Sequence, residues 1–334
     1  MSTAVICPIK KPQTKAQALK APKSKIHEVI IIGGGPAALT AAIYTARDDI
    51  ETIVFERAVV GGMPATVDKL ENYPGFPEGI TGLEFAAKLQ AQAEKFGAKI
   101  ELAEVTRLQS LESCIKLQTT EGDYFAKAVL IATGCEPKKL GVPGEKNYYA
   151  RGVHYCATCD GAFYKDKNLV VVGGGNGAIQ EAMFLTNYAK HIDLLVRSTL
   201  KANKILIHQL NKNPKITVHL HTTTDEIRGD GQRVKAIVGT NIDNHKKLEL
   251  PTDGVFIFAG QTPSTEFLAA SAIVLDEGGF IQTDSKMQTA IKGVFAAGDV
   301  RSGNIRQIAC AVGDGAAVAL SIREYLRHNS SPSR

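Results

Sequence analysis

The stretch Val29-Ile-Ile-Ile-Gly33-Gly-Gly35-Pro-Ala-Ala38 decides the fold. Four apolar residues make a short strand, glycines follow, and Leu39-Thr-Ala-Ala-Ile-Tyr-Thr-Ala46 reads as a helix. Strand, glycine turn and helix open a dinucleotide-binding unit. Gly33 permits the tight turn. Gly35 lets the backbone approach a pyrophosphate, with Pro36 and Ala37 alongside. Ala38 is small enough for the helix to pack on the sheet. The pyrophosphate would sit at the helix N-terminus, where free N–H groups and the dipole favour an anion. A second strand, Thr52-Ile-Val-Phe55, ends in Glu56, an acid able to accept hydrogen bonds from a ribose diol. The glycine turn alone is a weak signal; strand, helix and terminal acid together make it strong.

The pattern recurs. Asn168-Leu-Val-Val-Val172 is a strand, Gly173-Gly-Gly175-Asn176-Gly-Ala178 a turn, and a helix runs from Ile179 to about Tyr188. A further strand lies at Ile192–Val196, and Gly254–Gly260 closes this second unit. Gly293-Val-Phe-Ala-Ala-Gly-Asp299 resembles the end of the first unit more than the second, and Ala132-Thr-Gly134 ends the first long segment. The expected fold is therefore α/β, with two Rossmann-like domains, the second inserted in the first. The expected division is a basic disordered tail over 1–27, a discontinuous dinucleotide-binding domain over 28–134 and 261–328, and a second dinucleotide-type domain inserted over 135–260.

A chain of 334 residues, 44% hydrophobic and 22% charged, can build two cores of ordinary size. A net charge of +5, scattered basic residues and no Trp give no nucleic-acid pattern. No apolar run is as long as a membrane span. Residues 1–27 carry six lysines (Lys10, Lys11, Lys15, Lys20, Lys23, Lys25) and no acid. They lack the apolar core of a secretory signal and the arginines of a transit peptide. They read as a disordered tail or as a basic arm that docks an acidic protein. A cytoplasmic, reducing compartment is expected, so scattered Cys7, Cys114, Cys135 and Cys310 read as small buried hydrophobes. Only Cys156-Ala-Thr-Cys159 has tight spacing. Zinc needs about four ligands and His154 is the only close histidine, so no metal is expected. A redox pair fits better, because nearby positive charge or a helix N-terminus can hold one sulfur as thiolate.

With these residues in view, the chain resembles the low-molecular-weight thioredoxin reductases over about residues 28–328. The resemblance rests on Gly33–Ala38 with Glu56, on Glu71-Asn72-Tyr-Pro-Gly-Phe76, on Ala132-Thr133-Gly134, on Cys156-Ala-Thr-Cys159-Asp160, on Gly298-Asp299 and on Arg306-Gln307-Ile308. It implies a homodimeric FAD enzyme. Gly62, Met63 and Asn72 would lie near the flavin, Asp299 on the ribitol, and Arg306–Ile308 along the isoalloxazine. Cys159 would face the flavin, and Cys156 would attack the disulfide of a thioredoxin-like protein. Asp160 would move the proton of thiol exchange, cap a helix, or both. The inserted domain would have to rotate between the flavin-facing and partner-facing states.

The nicotinamide half departs from that family. Where arginines fork onto a 2′-phosphate, the chain reads Val196-Arg197-Ser198-Thr-Leu-Lys201. No acid ends the strand to hold an NAD ribose. The turn reads Asn176 and Gly177, then Gln180 and Glu181, and Met63 replaces a hydrogen-bonding glutamine. The candidate second-nucleotide residues are Gly173, Gly175, Asn176, Ala178, Arg197 and Lys201. The leading expectation is thus a disulfide oxidoreductase without efficient NADPH use. Its donor would be ferredoxin, steered by the lysine tail, or its nicotinamide region would hold a second FAD, with Tyr148, Tyr149, Tyr155 or Tyr164 either stacking on it or simply packing. The runner-up is a conventional NADPH-dependent thioredoxin reductase. A redox-sensing or binding flavoprotein is the reading from another class.

Overall fold

The computed structural model describes residues 24–67 and 69–330. Lys10 to Lys23 of the basic tail therefore lie outside the described residues. Lys25 pairs with Glu51 at 2.5 Å.

The strand Ile26–Ile32 is central to the first sheet. It runs parallel to Thr52–Glu56 on one side and to Gly122–Ile131 on the other. Lys99–Leu102 extends the first edge, and Ile115–Thr119 and Val105–Ser110 extend the other as an antiparallel meander. The late strand Val294–Ala296 also joins this sheet, parallel to Gly122–Ile131. Ile30 and Ile31 are fully buried on opposite faces of it, and each contributes about 1.5–3 kcal/mol by burial. One face is covered by the helices Pro36–Arg47 and Ile308–Ser330.

A second sheet has the order Ile216–His219, His191–Leu195, Asn168–Val172, Gly254–Ile257, Val153–His154, all parallel. A three-stranded antiparallel sheet, Glu226–Gly229, Val234–Thr240 and Lys247–Pro251, packs beside it. Cys135–Pro137 and Gln261–Pro263 pair as an antiparallel ribbon between the two glycine units. The expected α/β fold, with one Rossmann-like unit inserted in the other, is what the chain adopts.

Details differ from the sequence reading. The first helix begins at Pro36, directly on the glycine turn, because proline at the first helical position needs no N–H partner. The helix after the second glycine turn runs Asn176–Leu185 and stops short of Tyr188, whose segment folds into turns. Cys114 is buried as expected, but Cys135 and Cys310 are only partly so. Cys135 lies at the crossover ribbon, where the chain leaves the core.

Gly33 sits at φ +104°, and a Cβ there would lie 2.4 Å from the Ala132 carbonyl oxygen. Backbone strain and overpacking add, so Gly33→Ala should lower stability by about 2–4 kcal/mol. Urea unfolding of the flavin-free protein checks this, and an unchanged midpoint would refute it.

Candidate active site

The turn after Ile32 opens a cleft of about 1550 Å³, larger than the roughly 300–1,000 Å³ of an ordinary small-ligand pocket. Gly35 caps the helix Pro36–Arg47 without a side-chain bond, and nothing lies within 4 Å of where its Cβ would be. The helix N-terminus therefore faces open space, as an anion site requires. Gly33, Gly35, Pro36 and Ala37 line the cleft, whereas Ala38 is fully buried against the sheet. Glu56 folds back over the turn and accepts from the Gly34 N–H at 2.6 Å and the Ala58 N–H at 2.8 Å. Two carboxylate oxygens offer about four acceptor sites, so capacity remains for a diol.

Other sequence-predicted residues converge on the same cleft. Gly62 turns at φ +62° against Gly35, and half-exposed Met63 starts a short 3₁₀ helix. Asn72 donates to the Gln307 side chain at 3.4 Å, joining two motifs far apart in sequence. The Thr133 hydroxyl donates to the Ser264 carbonyl at 2.8 Å, and Gly134 takes φ +70° where the chain leaves the first sheet. Gly298, Asp299, Arg306, Gln307 and Ile308 line the far wall.

Asp299 Oδ1 and Arg306 Nε are buried without partners. Burial pushes the Asp299 carboxyl up to about 6, against the opposing pull of the Arg306 charge and with the nearby Asp314 adding to the rise. Asp314 fixes this loop. It accepts from the Gly298 N–H at 3.1 Å and from Asn304 at 2.9 Å, and it pairs with Arg301 at 3.1 Å. Arg306 itself lies over the Phe280 ring at 4.4 Å with φ +62°. Orphaned groups of both kinds on one wall suit a ligand with hydroxyls and an electron-rich edge.

Cys156 and Cys159 form a disulfide, and both line this same cleft together with Asp160. The short helix Ala157–Asp160 carries the pair, and the Cys159 N–H points at Cys156 Sγ at 3.1 Å. Asp160 makes no side-chain cap bond to the following turn, Gly161–Tyr164. Its carboxylate instead meets His154 Nδ1 at 3.1 Å, so the helix-cap reading of Asp160 is corrected.

The second glycine turn stands apart. Gly173, Gly175, Asn176, Ala178, Arg197 and Lys201 come together around the start of Asn176–Leu185, but none lines the cleft. Gly175 and Lys201 form a bridge, and the Asn176 side chain accepts from the Asn203 N–H at 2.9 Å. Gly175 caps its helix without a side-chain bond, and space is open at Gly175 and Gly177. Arg197 and Lys201 are exposed.

Of the four tyrosines, three have structural work. Tyr148 accepts from the Gly231 N–H at 3.3 Å, Tyr155 donates to buried Glu145 at 2.8 Å, and Tyr164 bonds His154 at 2.7 Å. Only Tyr149 is exposed, with Lys139 beside its ring. Sequence reasoning missed the roles of His154 and Glu181. The Glu181 carboxyl reaches the Ala157 backbone beneath the redox pair, and burial raises its proton affinity. The adjacency of Glu181 to Ala157 has no sequence signal.

Two dinucleotide-type units, with a disulfide set against the larger cleft, define a flavoprotein disulfide oxidoreductase. The family described as pyridine nucleotide-disulphide oxidoreductase matches residues 27–315. A thioredoxin reductase of Listeria innocua is 40% identical over 308 residues, covering 92% of this chain and 96% of that one. The NADPH-dependent thioredoxin reductase 3 of Arabidopsis thaliana is 38% identical over 91% of this chain and 59% of its own length. The crystal structure of thioredoxin reductase from Streptococcus pyogenes superposes with a TM-score of 0.85 at 38% identity, covering 91% of this chain and 99% of that one. The chain belongs to the pyridine nucleotide-disulphide oxidoreductase family, within its thioredoxin reductase group. That family implies FAD. Among the described residues no helix is long and apolar enough to cross a membrane.

Proposed function

We propose that the protein is a thioredoxin reductase that takes electrons from NADPH and delivers them, through flavin and the Cys156–Cys159 pair, to the disulfide of a thioredoxin-like protein. The observation that carries this reading is the disulfide, with Asp160, lining the same cleft as the first glycine turn, Asp299 and Arg306. The open Gly35 cradle and the orphaned Asp299 oxygen fit FAD. Gly33, Gly35, Pro36 and Ala37 would hold its pyrophosphate and Glu56 its ribose. Asp299 would take the ribitol, and Gly62, Met63, Asn72, Thr133, Gly134, Gly298 and Arg306–Ile308 would frame the flavin. When bound, the flavin supplies the electron pair that opens the disulfide. Cys156 then attacks the partner disulfide as thiolate, Cys159 resolves the mixed disulfide, and Asp160 carries the proton. Residues 28–134 and 261–328 would form the FAD half and 135–260 the inserted half, which agrees with the sheet pairing of Val294–Ala296. The inserted half must turn to present Cys156 to a protein partner.

The expectation of weak NADPH use draws no support from the relatives, one of which is named for NADPH dependence. The runner-up from the sequence is therefore the better reading. The open turn at Gly175, with exposed Arg197 and Lys201 nearby, supports it. Anaerobic titration of the flavin with NADPH tests it, and rapid bleaching is expected. A flavin that ignores NADPH but bleaches with reduced ferredoxin, or two flavins released per chain, would overturn it. Arg197→Ala should raise KM for NADPH about tenfold or more, the worth of one charged phosphate contact. Steady-state kinetics with NADPH and NADH check this, and an equal loss with NADH would remove Arg197 from the 2′-phosphate.

A further inference from the structure

His154 sits on the strand Val153–His154, only 8% exposed, two residues before Cys156. Its Nδ1 lies 3.1 Å from Asp160 Oδ2, and its Nε2 lies 2.7 Å from the Tyr164 hydroxyl. The ring stacks on Phe256 at 5.1 Å and meets Tyr164 edge-on at 5.3 Å. Gly254 leaves room for the Tyr164 ring, because a Cβ there would come within 2.6 Å of it. The imidazole is thus held from three sides in one orientation.

Asp160 fixes which nitrogen carries the proton, because its carboxylate only accepts and the ring nitrogen facing it at 3.1 Å must donate. Burial first, and the nearby Asp160 second, push the Tyr164 hydroxyl up to about 12. Its O–H is then free to donate to Nε2, the ring nitrogen left as acceptor. The neutral ring then carries its hydrogen on Nδ1, facing Asp160.

We propose that His154 is a positioning residue for disulfide exchange, holding the Asp160 carboxylate by its Nδ1–H so that Asp160 can take the proton of the Cys159 thiol. The proposal rests on the thioredoxin reductase reading above. In the exchange, the Cys156 thiolate attacks the partner disulfide, that S–S bond breaks and one partner sulfur leaves as thiolate. Cys159 gives its proton to Asp160 and attacks Cys156 Sγ, the mixed disulfide breaks, and the second partner sulfur leaves as thiolate and can take that proton from Asp160. Two electrons pass from the Cys156 and Cys159 sulfurs to the partner, and the Cys156–Cys159 bond re-forms. The step needs the Asp160 carboxylate held in one place, which a hydrogen bond from Nδ1–H provides.

Other charges act on the same cluster. Arg233 and Asp253 act on Tyr164 with opposite signs. Glu181 approaches Ala157 from the helix Asn176–Leu185. Lys167 and Lys235 line the cleft nearby. None of these changes when His154 is replaced by an uncharged residue, so a comparison among His154 variants isolates the Nδ1–H bond.

The test uses flavin-loaded enzyme whose pair has been reduced with dithiothreitol and then freed of it. Its reoxidation by a chromogenic aromatic disulfide is followed across the neutral range. His154→Phe keeps the ring stack but removes the donor. It should slow exchange about tenfold. His154→Asn keeps an N–H near Nδ1 and should restore the rate. An unslowed Phe variant, or an Asn variant as slow as Phe, overturns the proposal. If the unaltered enzyme exchanges with no disulfide, the thioredoxin reductase reading fails instead. The pH dependence of iodoacetamide capture of Cys159 then decides on His154, and an unchanged capture profile in His154→Phe overturns it.

Discussion

A Cys159→Ser variant should retain its flavin and its visible spectrum, yet lose reduction of a thioredoxin-like disulfide by about 10³-fold or more. Serine keeps the size of the side chain but cannot share a bond with Cys156, so electrons have no route out of the cleft through the pair. The short helix Ala157–Asp160 should survive, because its N-terminal contact needs only Cys156 Sγ. The same variant separates two classes of protein. A redox-sensing or binding flavoprotein that passes electrons straight from flavin to an acceptor would keep its acceptor reduction. Undiminished transfer to a protein disulfide would exclude the pair from the path altogether. The residual rate with molecular oxygen serves as the internal control for flavin that is still reducible.

The second large effect concerns Asp299. Its unpartnered oxygen sits among buried groups, and its carboxyl is pushed up to about 6 from an ordinary 3.8. In the flavin-free protein the folded state therefore binds a proton more tightly than the unfolded chain does. The resulting stability is present below about 3.8 and is lost as pH rises through about 6. Flavin affinity should run the other way. Hydroxyl donors prefer the carboxylate, so binding should weaken as pH falls through about 6. Asp299→Ala removes a hydrogen bond to a charged group, about 1.5–3 kcal/mol, or roughly ten- to 150-fold in affinity at neutral pH. Asp299→Asn should lose less and show a flat pH dependence. Equilibrium dialysis with FAD measures both, and undiminished affinity in the alanine variant would take Asp299 out of the site.

Much of this architecture could be read from residue types at fixed spacing. The glycine turns at Gly33 and Gly173 announce themselves because few other residues tolerate those backbone angles and close approaches. The redox pair is visible because two cysteines on one helical turn have few other uses. The antiparallel meander over 105–131 escaped notice, since short strands of mixed polarity carry no distinctive period. In the sequence His154 reads as a stray ligand and Tyr164 as a ring. Their meeting with Asp160 depends on how the chain turns through Ala157–Tyr164, which no spacing rule encodes. The nicotinamide half is less legible for a different reason. Side-chain identities at Arg197 to Lys201 report on the strength of a phosphate contact, whereas the openness of the turn at Gly175 depends on backbone.

The ribbon formed by Cys135–Pro137 and Gln261–Pro263 has a consequence for ancestry. Cys135 and Pro263 are direct partners across it, so the two chain crossings lie about one strand spacing apart, roughly 5 Å. A gene segment spliced in at such a point enters and leaves through a single doorway. The host sheet would then keep its register whether the guest were acquired, traded for another or deleted. A short loop joining Gly134 to Ser264, which are already hydrogen-bonded, would be enough to seal the opening.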